Sequence, residues 1–240
     1  MSLKCYYNND YIGKGVSEGI HSTSLELKKN LKTIVDYNEI DIVYNSIFEF
    51  QTTKPKNQIE YITILDNKFK EKCKLYEIGE KNSVIIPNNI QKFGKNYGFG
   101  LTIHNHKKNC LPSKNDILNG IDYKTKYTII TCEHELSILR NNETKSLLLD
   151  KNYCKHKKQQ IEKIYDIFYN TLNSNYDKSN EYKSFINTNK QLTFLPSRYH
   201  QQKHRDKQKY ILKNLNENFE ILNKNLLKEN IQIINIPIIY

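Results

Sequence analysis

The apolar residues of this chain are gathered into short runs separated by polar stretches. The runs are rich in Ile, Leu and Val, and they include Tyr61–Leu65, Ser83–Ile86, Tyr127–Cys132 and Ser146–Leu149. Short runs of this kind are typical of buried strands, and they are too short to span a membrane. Although only 38% of the residues are apolar, disordered chains do not cluster them in this way. The pattern therefore predicts a globular core that contains a β-sheet.

The middle of the chain is predicted to be rich in strands. A turn signal at Asp66–Asn67 predicts a hairpin, and Gly98 and Gly100 permit close backbone approach in a later strand. A helix is expected to open at Pro112 and Ser113 and to end near Gly120. The predicted strands are Ile59–Leu65, Lys72–Ile78, Ser83–Ile86, Tyr97–His106, Lys124–Cys132, Glu135–Leu139 and Lys145–Leu149, with a further short helix over Asn88–Phe93.

The two flanks are predicted to be mainly helical. Ser24–Asp36 and Lys155–Asn173 have helical patterns, whereas Ile40–Phe50 fits a helix or a strand. His200–Asn230 is strongly helical, and the polar segment Asn173–Thr188 is expected to be a loop. The expected fold is an α/β (α+β) arrangement with a mixed sheet flanked by helices. Its divisions are an N-terminal segment 1–55, a core 56–150 and a helical C-terminal extension 151–240.

The net charge of +11 is a weak indicator of function in this chain. The chain has 34 Lys but only three Arg, and it lacks Ala and Trp, which is the signature of AT-rich codons. Proteins that recognise phosphate usually rely on Arg, and the Lys residues here are scattered over all regions. Nucleic-acid contact through the Lys-rich helices is therefore kept as a secondary possibility.

The cysteines and the N-terminus favour a cytoplasmic or otherwise intracellular protein. Five widely spaced cysteines without a CxxC pair give no sign of a zinc ribbon or of a thioredoxin-like site. No signal peptide and no membrane span is expected. The thiols are expected to be reduced.

The most informative stretch runs from Thr102 to Asp116. Residues two apart on a strand point to one face, so His104 and His106 can direct two imidazoles to one point. A six-residue loop follows, then a helix that opens at Ser113 with Asp116 in its first turn. Two His and one carboxylate are a common ligand set for a catalytic zinc. Ser113-x-x-Asp116 is also an ordinary capping box, and this alternative stays open.

This pattern resembles the zinc signature of the JAB/MPN (JAMM) metalloprotease-like domains. The Asn between the two His resembles the RadC-like and phage-associated branch. That branch also has a glutamate on an early strand and a later Gly…Ser-Val-x-Ile-Pro segment, which are matched by Glu60 and by Gly79–Pro87. The resemblance covers about residues 56–140. Lys107 replaces the usual Pro, and the usual Gly of the loop is missing.

The resemblance implies a zinc-dependent metallohydrolase of peptidase or isopeptidase type. His104, His106 and Asp116 would bind Zn²⁺, Glu60 would be the general base, and Ser113 would hydrogen-bond the oxyanion or the water. Glu60 is preferred over Glu49 and Glu77 because it opens its strand 44 residues before His104. The partner would be a protein or peptide substrate, with no membrane involved.

Several alternatives remain open on the sequence. The fold also hosts catalytically inactive scaffolds, the branch includes DNA- or mobile-element-associated proteins, and other HxH metallohydrolases use an amidohydrolase-type barrel. His200 and His204 are four residues apart on a helix but lie among basic residues, which favours a solvated helix face. Cys110 lies within the loop and is either a small filler or an additional ligand.

Overall fold

The computed structural model describes residues 21–53, 61–76, 86–106, 110–132, 135–143, 146–188 and 196–237. It confirms the predicted mixed α/β class. The strands are β1 (Tyr61–Asp66), β2 (Glu71–Tyr76), β3 (Phe99–Asn105), β4 (Tyr127–Thr131), β5 (Glu135–Asn141) and β6 (Ile231–Pro237). The helices are α1 (His21–Leu31), α2 (Ile40–Thr53), α3 (Asn88–Tyr97), α4 (Lys114–Asp122), α5 (Lys151–Lys178), α6 (Asn180–Thr188), α7 (Pro196–Lys213) and α8 (Leu215–Leu226).

The six strands form one mixed sheet in the order β2-β1-β3-β4-β5-β6. Only β3 and β4 are parallel to each other, and α4 provides the crossover that this pair requires. The other neighbours are antiparallel. β3 is therefore central, and its last residues lie between the start of β1 and the end of β4.

Helices cover both faces of the sheet because alternate strand residues point to opposite sides. One face packs on α1 and α2 through residues such as Leu101, Ile103 and Ile129. The opposite face contributes Ile130 and Leu139 to a second cluster with α4, α5 and α8. A smaller third cluster joins α3 to β1 and to the start of β3. The even-numbered positions of β3, which include His104, thus face the α4 side.

Gly98 immediately precedes β3 and Gly100 lies within it, and both are predicted to permit close backbone approach. Gly98 has a φ of 78°, a conformation that favours glycine. A Cβ atom added to Gly100 would lie 2.6 Å from the carbonyl oxygen of Asp66. Gly100 therefore permits this close contact with β1 at the point where the register of the two strands shifts.

Two predictions about the second half of the chain are wrong. Asn173–Thr188 is helical, because Tyr176 and Phe185 are buried and continue the apolar stripe of α5 into α6. The described part of Lys145–Leu149 contains a 3₁₀ turn, in which Leu148 alone is buried. The prediction that His200–Asn230 is helical is confirmed, with a break at Asn214 between α7 and α8 and a 3₁₀ turn after α8.

The C-terminal region contributes a strand as well as helices. β6 pairs with β5 over its whole length, and Ile231, Ile233 and Ile236 are buried. The sequence predicts only helices for the extension 151–240, so this strand is an addition to that prediction. In the described residues, no helix is both long enough and apolar enough to cross a bilayer. The predicted strand over 83–86 falls mostly on residues outside the described ranges.

Candidate metal centre

The two histidines lie where β3 ends. His104 is paired with Ile62 of β1 and Ile130 of β4, and Asn105 closes the strand. The backbone N–H of His106 still donates to the carbonyl of Thr131 at 2.8 Å. The chain therefore stays extended through His106, and His104 and His106 remain on one side.

Asn105, between the histidines, ties this point to the next strand. Its side-chain oxygen accepts a hydrogen bond of 2.8 Å from the backbone N–H of Tyr61, the first residue of β1. The start of β1 is thereby fixed beside the two histidines. Asn105, which distinguishes this His-Asn-His from other HxH patterns, thus has a structural role.

Asp116 reaches the same point from the first turn of α4. Ser113 is the N-cap, and its hydroxyl oxygen accepts from the Asp116 N–H at 3.2 Å. The Asp116 Oδ2 atom accepts in turn from the Ser113 N–H at 2.6 Å. This is the capping box that the sequence left as an alternative. The same carboxylate also faces both histidines, so capping and metal binding are compatible here.

The three side chains converge closely. His104 Nε2 lies 3.1 Å from Asp116 Oδ1, and His106 Nε2 lies 3.5 Å from Asp116 Oδ2. The two Nε2 atoms are 3.3 Å apart. In the described residues this is the one group of three or more potential ligands that could hold a metal ion. The side chains are 13–21% exposed, so an ion and a small ligand can reach them.

The spacing of these atoms fits a tetrahedral zinc ion. Bonds of about 2.0 to 2.2 Å at tetrahedral angles place neighbouring ligand atoms about 3.3 to 3.6 Å apart. The two Nε2 atoms are 3.3 Å apart, within that range, and each lies near a different oxygen of Asp116, His104 Nε2 at 3.1 Å from Oδ1 and His106 Nε2 at 3.5 Å from Oδ2. Two imidazoles and a carboxylate are also the donor types that zinc accepts. The residues present therefore fit the ion.

The carboxylate at this site is ionised at neutral pH. Burial acts to raise the pKa of Asp116, but the charge and hydrogen bond of His104, with further contributions from His106 and Ser113, lower it to about 2. A group that is already deprotonated binds a cation without first losing a proton.

The loop between His106 and Ser113 is anchored at its far end. The buried Tyr165 hydroxyl of α5 donates to the Pro112 carbonyl at 2.8 Å. The Ser137 hydroxyl of β5 donates to the Cys110 carbonyl at 2.6 Å. These contacts anchor the C-terminal end of this loop to α5 and β5.

Cys110 is joined by a disulfide bond to Cys132, which follows β4. The prediction that all thiols are reduced is therefore wrong for this pair, because the fold brings two sequence-distant cysteines together. Cys110 is fully buried in the second apolar cluster and is not part of the metal group. It acts as a covalent anchor for the loop rather than as an additional ligand.

The remaining predicted residues are placed as follows. Glu60 and its rival Glu77 lie outside the described residues, as does Lys107. Glu49 is exposed on α2, which packs on the opposite face of the sheet from α4. His200 and His204 are exposed on α7 and belong to no metal group in the part of the chain that the structure describes.

Two supporting residues escape sequence reasoning. Tyr165 belongs to the apolar stripe of α5, and Ser137 to a buried strand, so neither carries a local signal for a role at the loop. Both could be found only once the packing of α5 and β5 against the loop was known.

Comparisons with protein-family models, with curated proteins and with solved structures find nothing that matches this chain. The site therefore rests on its own geometry and on the sequence resemblance described above.

Proposed function

We propose that this chain is a zinc-dependent hydrolase of amide bonds, of peptidase or isopeptidase type. The observation that carries the proposal is the convergence of His104, His106 and Asp116 on one point at zinc-compatible distances. The resemblance to JAB/MPN domains supplies the reaction class. Zinc, when bound, would polarise a carbonyl group and lower the pKa of a water molecule.

The side chains around the ion have distinct proposed roles. Asp116 supplies a negative charge, and the capping box fixes its orientation. The Ser113 hydroxyl accepts from the Asp116 N–H, and it can turn its own proton from the Asp116 carboxylate to a developing oxyanion. Glu60 precedes Tyr61, whose N–H is bound to Asn105 between the two histidines. We assign the general-base role to Glu60 on this sequence position and on the resemblance.

The proposal is tested by hydrolysis assays on the zinc-loaded protein. The probes are internally quenched peptides that contain either an ordinary peptide bond or a lysine isopeptide bond. We expect Glu60→Gln to lower kcat by about 100-fold or more while zinc is retained, because a general base contributes about 10² to 10⁴. The matched control is Glu49→Gln, on the exposed face of α2, which should leave kcat unchanged.

Two results would contradict the proposal. One is equal turnover by the wild type and Glu60→Gln, which would remove Glu60 from the chemistry. The other is a zinc-loaded wild type that cleaves none of the probes, which would favour the alternative of a catalytically inactive scaffold.

A further inference from the structure

Arginine is rare in this chain, so the position of each Arg is informative. The codon bias favours Lys wherever a positive charge alone is sufficient, and only three Arg are present among 37 cationic residues. Arg140 is explained by its contacts: it pairs with Asp36 at 2.6 Å and donates to the Ile34 carbonyl at 2.9 Å. The other two, Arg198 and Arg205, both lie on α7.

The two arginines share one exposed face of α7. The helix packs through Tyr199, Lys203 and Tyr210, whose partners include Phe185, Tyr182 and Tyr176. Arg198, Arg205 and Lys209 are exposed. With 3.6 residues per turn, their spacings of seven and four place them within an arc of about 40° on the side away from these aromatic contacts. We call these three residues the α7 cationic row.

The α7 cationic row lacks partners in the part of the chain that the structure describes. Two other cations of α7 are compensated, since Lys203 pairs with Asp177 at 3.4 Å and Lys213 pairs with Glu181 at 2.6 Å. None of Arg198, Arg205 and Lys209 has a carboxylate within ion-pair distance among the described residues. An uncompensated row of charges is available to an external anion.

We propose that the α7 cationic row binds the phosphodiester backbone of a nucleic acid. The charges are spaced about 10 and about 6 Å along the helix axis, which suits successive phosphates better than a single anion. Guanidinium groups bind phosphate through two parallel hydrogen bonds, which Lys cannot do. All the exposed side chains described on α7 are polar or charged, whereas a membrane-binding helix needs an apolar face.

The test is fluorescence anisotropy with a labelled DNA single strand and duplex of about 20 nucleotides per strand, titrated at salt concentrations from about 50 to about 200 mM. The variant is Arg198→Gln/Arg205→Gln/Lys209→Gln. The control is Lys151→Gln/Lys155→Gln/Lys163→Gln, which removes three exposed charges from α5 and has the same net charge. Circular dichroism checks that both variants are folded.

We expect the α7 variant to bind at least about tenfold more weakly and its salt slope to fall by about 2 to 3, since each phosphate contact contributes about 0.9. The α5 control should bind like the wild type. Equal losses of DNA affinity in both variants would show that binding depends only on net charge, and this would overturn the proposal. A wild type that binds no DNA would also overturn it. Binding of phosphatidylserine vesicles, but not DNA, through the same row would also overturn it. These residues lie outside the His104 cluster, so the outcome does not depend on the proposed hydrolase activity.

Discussion

Two polar clusters lie at opposite ends of the parallel strands β3 and β4, and their compositions differ. At the start of β4, Lys126 contacts Asp36 at 2.6 Å and Glu39 at 2.7 Å. Arg140 contacts the second oxygen of Asp36 at 2.6 Å, and the Tyr127 hydroxyl donates to Glu39 at 2.7 Å. Each acid here has a cationic or hydroxyl partner, and the cluster attaches the α1–α2 connection to the sheet.

At the end of β3, by contrast, the three side chains mainly offer lone pairs to one another. His104 and His106 face each other and a carboxylate, and no Lys or Arg pairs with Asp116 in the described residues. Such a group is completed by a proton or by a metal ion. The acids of the first cluster are paired with Lys and Arg, whereas the second cluster combines two imidazoles and a carboxylate, a donor set that a metal ion can use.

The largest expected effect on stability concerns the disulfide bond between Cys110 and Cys132, which anchors the loop beside the candidate metal centre. A disulfide that closes a loop of this size stabilises a protein by about 3 kcal/mol, and Cys110 and Cys132 are 22 residues apart. We therefore expect reduction with a phosphine to lower the free energy of unfolding in urea by about that amount. Cys132→Ser should already have the lower value and should not respond to the phosphine. Equal stability with and without reductant in the wild type would contradict this anchor.

Exchanging one carboxylate in each cluster should separate metal binding from stability. Asp116→Asn retains an acceptor for the Ser113 N–H but loses the charge, so zinc affinity should fall by about 100-fold or more, with little change in unfolding. Asp36→Asn should cost about 1 kcal/mol, because it weakens two partly exposed ion pairs, and zinc affinity should be unchanged. Zinc titration and urea unfolding of both variants check this. Loss of zinc in Asp36→Asn would contradict the comparison.

A matched pair of tyrosines gives a smaller effect. Tyr165 and Tyr127 are both fully buried and both use their hydroxyls, one at the Pro112 carbonyl and the other at Glu39. Changing either to Phe should cost about 1 to 2 kcal/mol of stability, since a buried acceptor loses its donor. Only Tyr165→Phe should weaken zinc binding, by about tenfold. Equal zinc affinities in the two variants would show that the loop does not position the ligands.

The smallest effect is the acid dependence of the ion-pair cluster. Hydrogen bonds from Lys126 and Arg140 lower the pKa of Asp36 below its ordinary value of 3.8, although burial opposes them. A lowered folded pKa gives stability above the unfolded pKa, and this stability is lost as the pH falls through the folded value. The cost of about 1 kcal/mol for Asp36→Asn should therefore be seen at neutral pH, and it should vanish in acid. A difference that grows in acid would contradict the assigned ion pairs.

Much of the sheet and of the site could be predicted because local patterns determine them. The central residues of β1, β3, β4 and β5 are buried on both faces, as a sheet covered by two helical layers requires. The His-Asn-His spacing predicts that two candidate ligands share one side of a strand, and the Ser113 cap predicts the third in the first turn of a helix. These features depend on residues close together in the chain.

The remaining features depend on tertiary packing that no local pattern reveals. β6 becomes a strand because β5 offers an open edge, and its Ile-rich sequence fits other environments equally well. The helix over Asn173–Thr188 is polar on its solvent side, and only the burial of Tyr176 and Phe185 shows its packed side. The disulfide and the Tyr165 contact join residues that are distant in sequence.

The most direct test of the metal centre is the zinc content of purified protein, measured by elemental mass spectrometry after gel filtration. We expect about one zinc ion per chain in the wild type and almost none in His104→Ala/His106→Ala. The matched control His200→Ala/His204→Ala removes two exposed histidines from α7 and should retain the zinc. A metal-free wild type after gentle purification, or equal zinc in the two double variants, would contradict the account.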